Sequence, residues 1–590
     1  MTNQYKTEWN LKQFYSSIDD PKIEKDIKKL EKKYSDFEKK YKDKTDYLKN
    51  PKKLLVALKE FEGLNSEPFY PSLYTFLSSD LNSADEKVQA FSNALSMRLA
   101  KVDNKVLFFP LAVSKIPKPF QKKILADKRF SYFKYNLKLS FDSAKYDLTL
   151  PEEKILNLKS LPAHSLWVQG VEKSLNDKTV EFNGKTIPLS EASVKVHTLK
   201  TQERYELHKK ILEKIKEVAD FSTSEINSVY INKKINDELR GYSKPYSATL
   251  LSHQISEKTL SQLRESVKKW QKVSHDFFDI KAKLLKLDFL QYPDRAISIE
   301  ENKKKISFDE ALSILLTSFE KFGPWYKEKL VSFLENGQVD VFPKFGKTSG
   351  AYCLGGNNQP TFILLNHIDN FESVMTFGHE MGHAFHTELS KKQGPSYQGY
   401  STAVAEVAST FFENIVFEES LKNLTKKEQI FALHDKISDD IQTIFRQMAC
   451  FEFELELHDT IRAKGAVSKE EISAMMNKHM QSYLGPVFKL TPDDGYFFII
   501  WSHIRRFFYV YSYAYGQIVS KALYKKYCED KNFSKKIEQF LSAGSSKSPE
   551  QIFKDIGIDT TKSDFFEVGL KSIGEDIKRL ETLAKEEKLI

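Results

Sequence analysis

The sequence predicts a mainly α-helical fold that contains one small β-sheet. Apolar residues recur at helical spacing over most of the chain, and β-type runs punctuated by glycines are concentrated in residues 338–366. The composition is that of an ordinary globular protein, with 41% hydrophobic and 29% charged residues. At 590 residues the chain exceeds one typical domain, although one large helical ellipsoid is also compatible with this length.

The N-terminal third is predicted to be helical. Residues 21–45 place apolar side chains at 4-3-4-3-4 spacing, which is a heptad pattern. An intermolecular coiled coil would fit it, but about three heptads favour packing within the same chain. An Asn-Gly turn between β-type residues predicts a hairpin at 180–187. We place a boundary near it, between an N-terminal helical domain, residues 1–190, and a second domain, residues 191–590.

In the second domain, long helices are predicted at 199–239 and 257–288. Three β-type runs follow, at 339–342, 351–354 and 361–365. Helices resume at residue 370 and continue to the end of the chain. The first of them has Asn370 or Asp369 as its N-cap and extends from Phe371 to Leu389 without a proline.

Residues 379–383, on this predicted helix, read His-Glu-Met-Gly-His. Two histidines four residues apart project about 40° from each other, so both imidazoles can reach one zinc ion. Glu380 lies beside the pair, where it can hold and deprotonate a water molecule. Gly382 would let another backbone approach closely. The alternative interpretation is a buried helix whose histidines only form hydrogen bonds.

Zinc in a hydrolase needs three protein ligands and one open position. His386 lies too close along the same helix to complete a tetrahedron, so we interpret it as a packing residue or a partner of a ligand. A second helix begins near residue 401, and Glu406 is the first carboxylate in its otherwise apolar run. A buried carboxylate is costly unless it is paired or bound to metal. Glu413, on the same face, is either the partner of a ligand imidazole or an ordinary helix former.

The segments 376–386 and 405–409, with 349–353, 364–366 and 508–516, resemble the thimet oligopeptidase family of zinc metallopeptidases. The closer match is the oligoendopeptidase F branch, which has a similar Ala-Glu-Val-Ala-Ser pattern. The resemblance extends over most of the chain. It implies a helical ellipsoid with a deep substrate channel, in which residues 191–590 form the zinc-peptidase catalytic domain. It also implies that one Zn²⁺ ion is bound by His379, His383 and Glu406. Glu380 would be the catalytic base.

Residues 496–515 contain an unusual density of aromatic rings. A helix from about 501 to 521 would place Arg506, Tyr509 and Tyr513 on one face. Phenol and imidazole groups can stabilise the negative charge that develops on a carbonyl oxygen during peptide hydrolysis. The resemblance implies this role for a histidine and tyrosines of this segment, and we select His503, Tyr513 and Tyr509. The alternative is a core helix with aromatic packing.

The β-type run after residue 349 is the candidate for peptide binding. A strand that borders a cleft can hold an extended peptide by backbone hydrogen bonds, whatever the peptide's side chains are. We assign this role to Gly350, Ala351 and Tyr352, and count Arg506 as a further substrate-binding residue. A purely structural hairpin is the alternative.

Charge, cysteine content and hydropathy exclude several classes of protein. The net charge is +9, but 90 basic residues are mixed with 81 acidic ones and no basic stripe is interleaved with aromatics, so we expect no nucleic-acid binding. Three distant cysteines suit a reducing compartment rather than a disulfide framework. No 18-residue apolar run and no signal-peptide pattern is present, so we expect a cytoplasmic protein that does not span a membrane.

Together these patterns predict a zinc endopeptidase that acts on short peptides. A zinc carboxypeptidase or dipeptidyl carboxypeptidase would use the same ligand set. A non-catalytic peptide-binding or scaffold protein is the more remote alternative, because binding alone does not need the base Glu380. A monomer and a homo-oligomer are equally compatible with the sequence.

Overall fold

Most of the chain folds into α-helices, which confirms the predicted mainly α fold class. The computed structural model describes residues 5–299, 304–356 and 358–590. The helices before residue 200 are α1 (Pro21–Tyr41), α2 (Pro51–Leu64), α3 (Tyr70–Leu81), α4 (Glu86–Asn104), α5 (Phe108–Ser114), α6 (Lys118–Ala126), α7 (Lys134–Ser143), α8 (Leu150–Ser160), α9 (Leu166–Asn176) and α10 (Leu189–Lys195).

The later helices include several that begin at a capping box, as at Thr425 and Ser468, where a glutamate three residues on completes the pair of hydrogen bonds. The middle group is α11 (Thr201–Lys216), α12 (Ala219–Arg240), α13 (Ser247–His253), α14 (Glu257–Lys269), α15 (Lys272–Leu285), α16 (Phe308–Phe322) and α17 (Pro324–Glu335). The last group is α18 (Phe371–Ser390), α19 (Thr402–Leu421), α20 (Lys426–Ile441), α21 (Gln447–Lys464), α22 (Lys469–Leu484), α23 (Tyr511–Glu529), α24 (Ser534–Leu541), α25 (Pro549–Asp555) and α26 (Ser563–Glu586).

Two small sheets occupy the predicted β regions. The strands are β1 (Thr179–Phe182), β2 (Lys185–Pro188), β3 (Val339–Asp340), β4 (Tyr352–Gly356) and β5 (Gln359–Leu364). β1 and β2 form the predicted hairpin, with Asn183 and Gly184 in the left-handed region that a type I′ turn requires. In the second sheet the order is β3-β5-β4, with β3 parallel and β4 antiparallel to β5. β4 is therefore an edge strand.

The heptad pattern of α1 packs within the chain. Its apolar side chains at five of the predicted positions are buried. Phe37 packs against the rings of Phe61 and Phe109, and Arg98 of α4 pairs with Glu24 on the polar side of α1. The intramolecular interpretation of the heptads is thus the one that the structure supports.

The two long helices predicted in the middle of the chain are each interrupted. The first divides into α11 and α12, and the second into α14 and α15. Neither break is marked by proline or glycine, so the helical pattern did not reveal them. Gly241 ends α12 in the left-handed conformation that commonly terminates a helix.

The largest apolar core contains buried residues from Val171 to Leu580 and surrounds α18, α19 and α23. A separate core lies among α1, α2 and the helices up to α7, and a third joins Trp9 and α3 to the sheet of β4 and β5. The domain boundary near residue 190 stays a prediction. Among the described residues, no helix combines the length and the hydropathy that crossing a bilayer would require.

Candidate active site

The His-Glu-Met-Gly-His motif, residues 379–383, lies in the middle of α18. The side chain of Asn370 accepts a hydrogen bond from the backbone N–H of Ser373 at 2.8 Å, which makes Asn370 the N-cap. Glu372 lies in the first turn, where the helix dipole favours negative charge. The helix begins at Phe371 as predicted and is buried along most of its length, so the motif is held on a rigid element.

Gly382 lets α19 cross α18 at close range. A Cβ atom at this position would lie 2.6 Å from Ser409 Cα and 2.8 Å from Ala408 O. Those atoms belong to the backbone of α19 and cannot move independently. The absence of a side chain at Gly382 therefore sets the separation of the two helices, and with it the distance from the histidines of α18 to Glu406 of α19.

Replacing Gly382 with alanine is expected to lower the free energy of unfolding by about 1–3 kcal/mol, because the new methyl group overpacks a helix crossing. Urea denaturation would measure the change. Gly63→Ala is the matched control: it also lies in a helix, α2, but its Cβ position is open. There alanine is expected to be neutral or stabilising by about 0.5–1 kcal/mol. Equal effects at the two positions would contradict the close approach.

Three side chains from α18 and α19 point their donor atoms at one place. Glu406 Oε2 lies 3.3 Å from His379 Nε2 and 3.7 Å from His383 Nε2, and the three atoms all lie within 4.8 Å of one another. Donors at about 2.0–2.1 Å from a tetrahedral zinc ion are separated by about 3.3–3.4 Å from each other. Two imidazole nitrogens and a carboxylate oxygen at these separations can hold one metal ion.

Two neighbours orient these side chains. His379 Nδ1 donates to Glu413 Oε2 at 3.0 Å, which leaves Nε2 facing Glu406. Ser409 Oγ donates to Glu406 Oε2 at 3.0 Å. Burial opposes a charged imidazole, but the hydrogen bonds to Glu406 and Glu413 outweigh it and raise the pKa of His379 to about 10. Burial and the charge of His379 lower the pKa of His383 to about 4.

Glu380 is a buried carboxyl group beside the ligand cluster. Its Oε2 is buried and has no hydrogen-bond partner among the described residues. Burial raises the pKa of Glu380 to about 7; the charge of His379 opposes this shift, and the negative charge of Glu406 adds to it. A carboxyl group in this state can both accept and return a proton near neutral pH.

The strand β4 lies against α18, and its outer edge is not paired with another described strand. The carbonyl of Gly350 accepts a hydrogen bond from the Asn366 side chain at 2.7 Å, which fixes the turn before the strand. The phenol of Tyr352 donates to Asp80 at 2.5 Å, and its ring contacts Trp9. The side chain of Tyr352 is therefore committed to the fold, and only its backbone could meet a peptide.

The predicted helix from 501 to 521 is wrong in its first half, because α23 begins only at Tyr511. Phe507 and Phe508 have φ values of +54° and +61°, which no right-handed helix contains. Arg506, Tyr509 and Tyr513 consequently do not share one face of a helix. Before α23 the chain forms a short 3₁₀ turn, Ser502–Arg505, and then an irregular bend.

Buried side chains from distant helices hold this bend in place. Arg505 forms a two-pronged ion pair with Glu225 of α12, at 2.8 and 2.7 Å. Both carboxylate oxygens of Glu454, on α21, accept from the backbone N–H of Phe508, at 2.9 and 3.1 Å. Tyr230 donates to the carbonyl of Ile504. These bonds replace the helical ones and stabilise the left-handed residues.

The bend brings the three predicted oxyanion donors together. The rings of His503, Tyr509 and Tyr513 lie 5.5–6.0 Å apart by their centroids, and His503 Nδ1 is hydrogen-bonded to the Tyr509 hydroxyl. Tyr513 lies on α23, which packs against α19 at the ligand cluster: a Cβ on Gly516 would lie 3.1 Å from Glu406 Cβ. A single helix thus joins these rings to the candidate metal ligand.

The model of peptidase family M3 matches residues 197–572. The chain belongs to peptidase family M3. It is 28% identical over 513 residues to an oligoendopeptidase F homolog of Borreliella burgdorferi, and the alignment covers 85% of each chain. The predicted resemblance is confirmed by these matches.

Solved structures show that the M3 chain also shares its fold with known proteins. A crystal structure from Chlamydophila abortus matches with a TM-score of 0.85 at 21% identity, covering 98% of both chains. Oligoendopeptidase-F from Enterococcus faecium matches with a TM-score of 0.70 at 18% identity, covering 96% of this chain and 99% of the other. At these identities the likeness concerns the fold alone.

The structure adds a contact for Ser409 and decides between the two interpretations of His386. The hydrogen bond from Ser409 to Glu406 was not predicted, although a hydroxyl three residues after Glu406 lies on the same side of the helix. His386 is not in the ligand cluster; its ring stacks on Tyr400 with centroids 3.7 Å apart and lies 5.3 Å from the ring of Phe540. His386 is therefore a packing residue, one of the two interpretations of the sequence.

Proposed function

We propose that this M3 protein is a zinc-dependent endopeptidase that hydrolyses internal bonds of short peptides. The observation that carries the proposal is the convergence of His379, His383 and Glu406 beside the unpartnered carboxyl oxygen of Glu380. Family M3 membership and the name of the Borreliella burgdorferi relative, an oligoendopeptidase F homolog, support it. A scaffold protein would need neither the donor cluster nor the buried carboxyl group.

The donor set suits one Zn²⁺ ion, because two neutral imidazoles and a carboxylate are typical ligands of catalytic zinc. His379, His383 and Glu406 would hold it, with Glu413 and Ser409 fixing two of the three side chains. When bound, the ion supplies Lewis-acid activation of a water molecule and of the scissile carbonyl.

Glu380 would carry the proton transfers. Its Oε2 takes a proton from the attacking water and later delivers it to the leaving amine. His503 and Tyr513 would donate hydrogen bonds to the carbonyl oxygen as negative charge develops on it. When the Tyr509 hydroxyl donates to His503 Nδ1, the Nε2–H of the neutral imidazole is left to donate to the substrate, and Tyr509 orients the ring. In the other tautomer, His503 Nδ1–H donates to Tyr509, and Tyr509 is the donor to the substrate.

The edge of β4 would hold the substrate. Backbone groups of Gly350, Ala351 and Tyr352 can extend the sheet by one peptide strand, and β4 lies next to the helix that carries Glu380. Arg506 stays a predicted substrate-binding residue, and the deep channel stays a predicted limit on substrate size. The free state of all three cysteines supports a cytoplasmic site of action.

The test uses a mixed library of short peptides whose ends are blocked by acetyl and amide groups, with products identified by mass spectrometry. We expect cleavage at internal bonds, complete loss of cleavage with a chelator, and recovery on addition of Zn²⁺. An endopeptidase tolerates blocked ends, whereas a carboxypeptidase or dipeptidyl carboxypeptidase requires a free carboxyl terminus. Cleavage confined to peptides with that free terminus would replace the proposal by the exopeptidase alternative.

A further inference from the structure

The distribution of ion pairs singles out three arginines around the bend that carries His503. Every other arginine in the described residues pairs with a carboxylate. The arginines without such a partner in the described part of the chain are Arg295, Arg446 and Arg506. Arg506 is exposed and needs no partner, but Arg295 and Arg446 are half-buried. A half-buried cation without an anion is costly.

Arg295 and Arg446 both lie at the ring of Phe497. Their guanidinium carbons are 5.5 and 5.3 Å from the centre of the same ring, that of Phe497. The Nε atom of each is buried without a hydrogen-bond partner among the described residues. Arg295 Nη1 donates to the carbonyl of Tyr292 at 2.9 Å, but neither cation has an anionic partner in the described residues. Two like charges around one ring repel each other, and a bound anion would offset that repulsion.

Aromatic rings fix both guanidinium groups. Arg446 lies 4.3 Å from the ring centre of Trp501, and Arg295 lies 3.9 Å from that of Tyr292. Stacked in this way, a planar guanidinium group still presents its N–H edge to a planar anion. Arg446 ends a π-helical turn, Gln442–Arg446, an irregularity that is frequent at functional sites.

Arg446 lies near the predicted oxyanion donor His503. The ring of Trp501, on which Arg446 stacks, is 6.2 Å from the ring of His503. The charges of Arg446 and Arg506 act on His503 strongly enough to reinforce the lowering of its pKa by burial. An anion held between Arg295 and Arg446 would therefore be within a few residues of the bond that is cleaved, on an extended peptide.

We propose that Arg446 and Arg295 form a subsite that binds a carboxylate group of the peptide substrate. The carboxylate belongs to the peptide's C-terminus or to an aspartate or glutamate side chain; both are planar and match the guanidinium fork. The inference rests on the proposed function, since it assigns a specificity to that same site. It makes the protein an endopeptidase that prefers peptides with a negative charge at a set distance from the scissile bond.

The test compares twin peptides that share one cleaved bond. In one pair a C-terminal carboxylate is replaced by an amide, and in a second series one glutamate moves along an amidated neutral peptide, with glutamine as its twin. Wild-type protein is expected to cleave the preferred acidic twin with a kcat/KM about 10–100-fold higher than the neutral one. Arg446→Met should remove this preference mainly through KM, leaving the neutral twin within about threefold.

Three further measurements keep the test decisive. Arg446→Lys is expected to restore part of the preference, because it retains the charge without the fork. Arg129→Met, a paired surface arginine, should change nothing. The twin peptides are also compared without turnover, by measuring their dissociation constants for the zinc-loaded Glu380→Gln protein. Circular dichroism checks that each variant is folded. Equal losses for acidic and neutral twins in Arg446→Met, or equal binding of the twins by wild type, would overturn the subsite.

These outcomes separate the two proposals. If blocked peptides are cleaved but no charge preference exists, the subsite fails and the endopeptidase stands. If no peptide is cleaved, the proposed function fails, and binding of the twins alone decides the subsite. The two substrate series also identify the source of the carboxylate. A preference in the carboxylate–amide pair indicates the peptide's C-terminus, and a preference in the glutamate–glutamine series indicates an acidic side chain.

Discussion

Replacing Glu380 with glutamine is expected to reduce kcat for peptide cleavage by about 10²–10⁴-fold while the protein keeps its metal. Glutamine has nearly the same shape but cannot take a proton from water. The ligand atoms of His379, His383 and Glu406 are untouched by the change. Initial rates on a quenched-fluorescence peptide measure the effect, and metal content per chain is read by mass spectrometry.

The control for this change is Glu372→Gln, which makes the same substitution on the same helix. Glu372 is exposed in the first turn of α18 and lies two turns before the motif. Its replacement should leave both the rate and the metal content unchanged. A Glu380→Gln protein that retains wild-type activity would remove Glu380 from the role of base and return the motif to its structural interpretation.

The convergence of His379, His383 and Glu406 could be predicted because its determinants are local. Histidines four apart share a helix face whatever surrounds them, and a carboxylate in an apolar run has few favourable environments. Asn370 as N-cap and Gly382 as the point of close approach are equally local signals, and both are found as expected. The sequence did not reveal the angle at which α19 crosses α18, but the lack of a side chain at Gly382 indicates where the two helices approach most closely.

The segment before α23 shows why the rest could not be predicted. Its apolar and aromatic spacing is compatible with a helix, and intrinsic propensities do not forbid one. The left-handed Phe507 and Phe508 are stabilised by Glu454, and Arg505 by Glu225, in helices far away in the chain. A single sequence does not identify such partners, because any buried carboxylate in the chain could accept these hydrogen bonds equally well.

The same limit applies to Tyr352 and to the arginines. Tyr352 was assigned to substrate binding through its backbone, which stays a prediction, but the sequence did not reveal that Asp80 and Trp9 engage its side chain. Arg446 lies in a helical stretch that looks ordinary in sequence, and only the positions of Phe497 and Trp501 make its unpaired charge visible. Contacts between residues far apart in the sequence become visible only once the fold is known.

Glu406→Gln should abolish stable metal binding and, with it, peptide cleavage. A neutral amide is a poor zinc ligand, and the two histidines would be left without the only anionic donor of the cluster. Since loss of even an outer partner of a ligand costs about 10–100-fold in metal affinity, loss of the ligand itself should cost more than about 100-fold. Competition with a chelator of known affinity measures the dissociation constant directly.

Two further variants of α19 give an intermediate case and a control for this loss of metal affinity. Glu413→Gln removes the partner of His379 and not a ligand, so the metal affinity should fall by only about 10–100-fold. Glu418→Gln, at the far end of the same helix, where Glu418 pairs with Arg579, should bind zinc like the wild type. We therefore expect zinc to bind most tightly to Glu418→Gln, less tightly to Glu413→Gln and most weakly to Glu406→Gln. A Glu406→Gln protein that binds zinc more tightly than Glu413→Gln would invert the roles of the two glutamates.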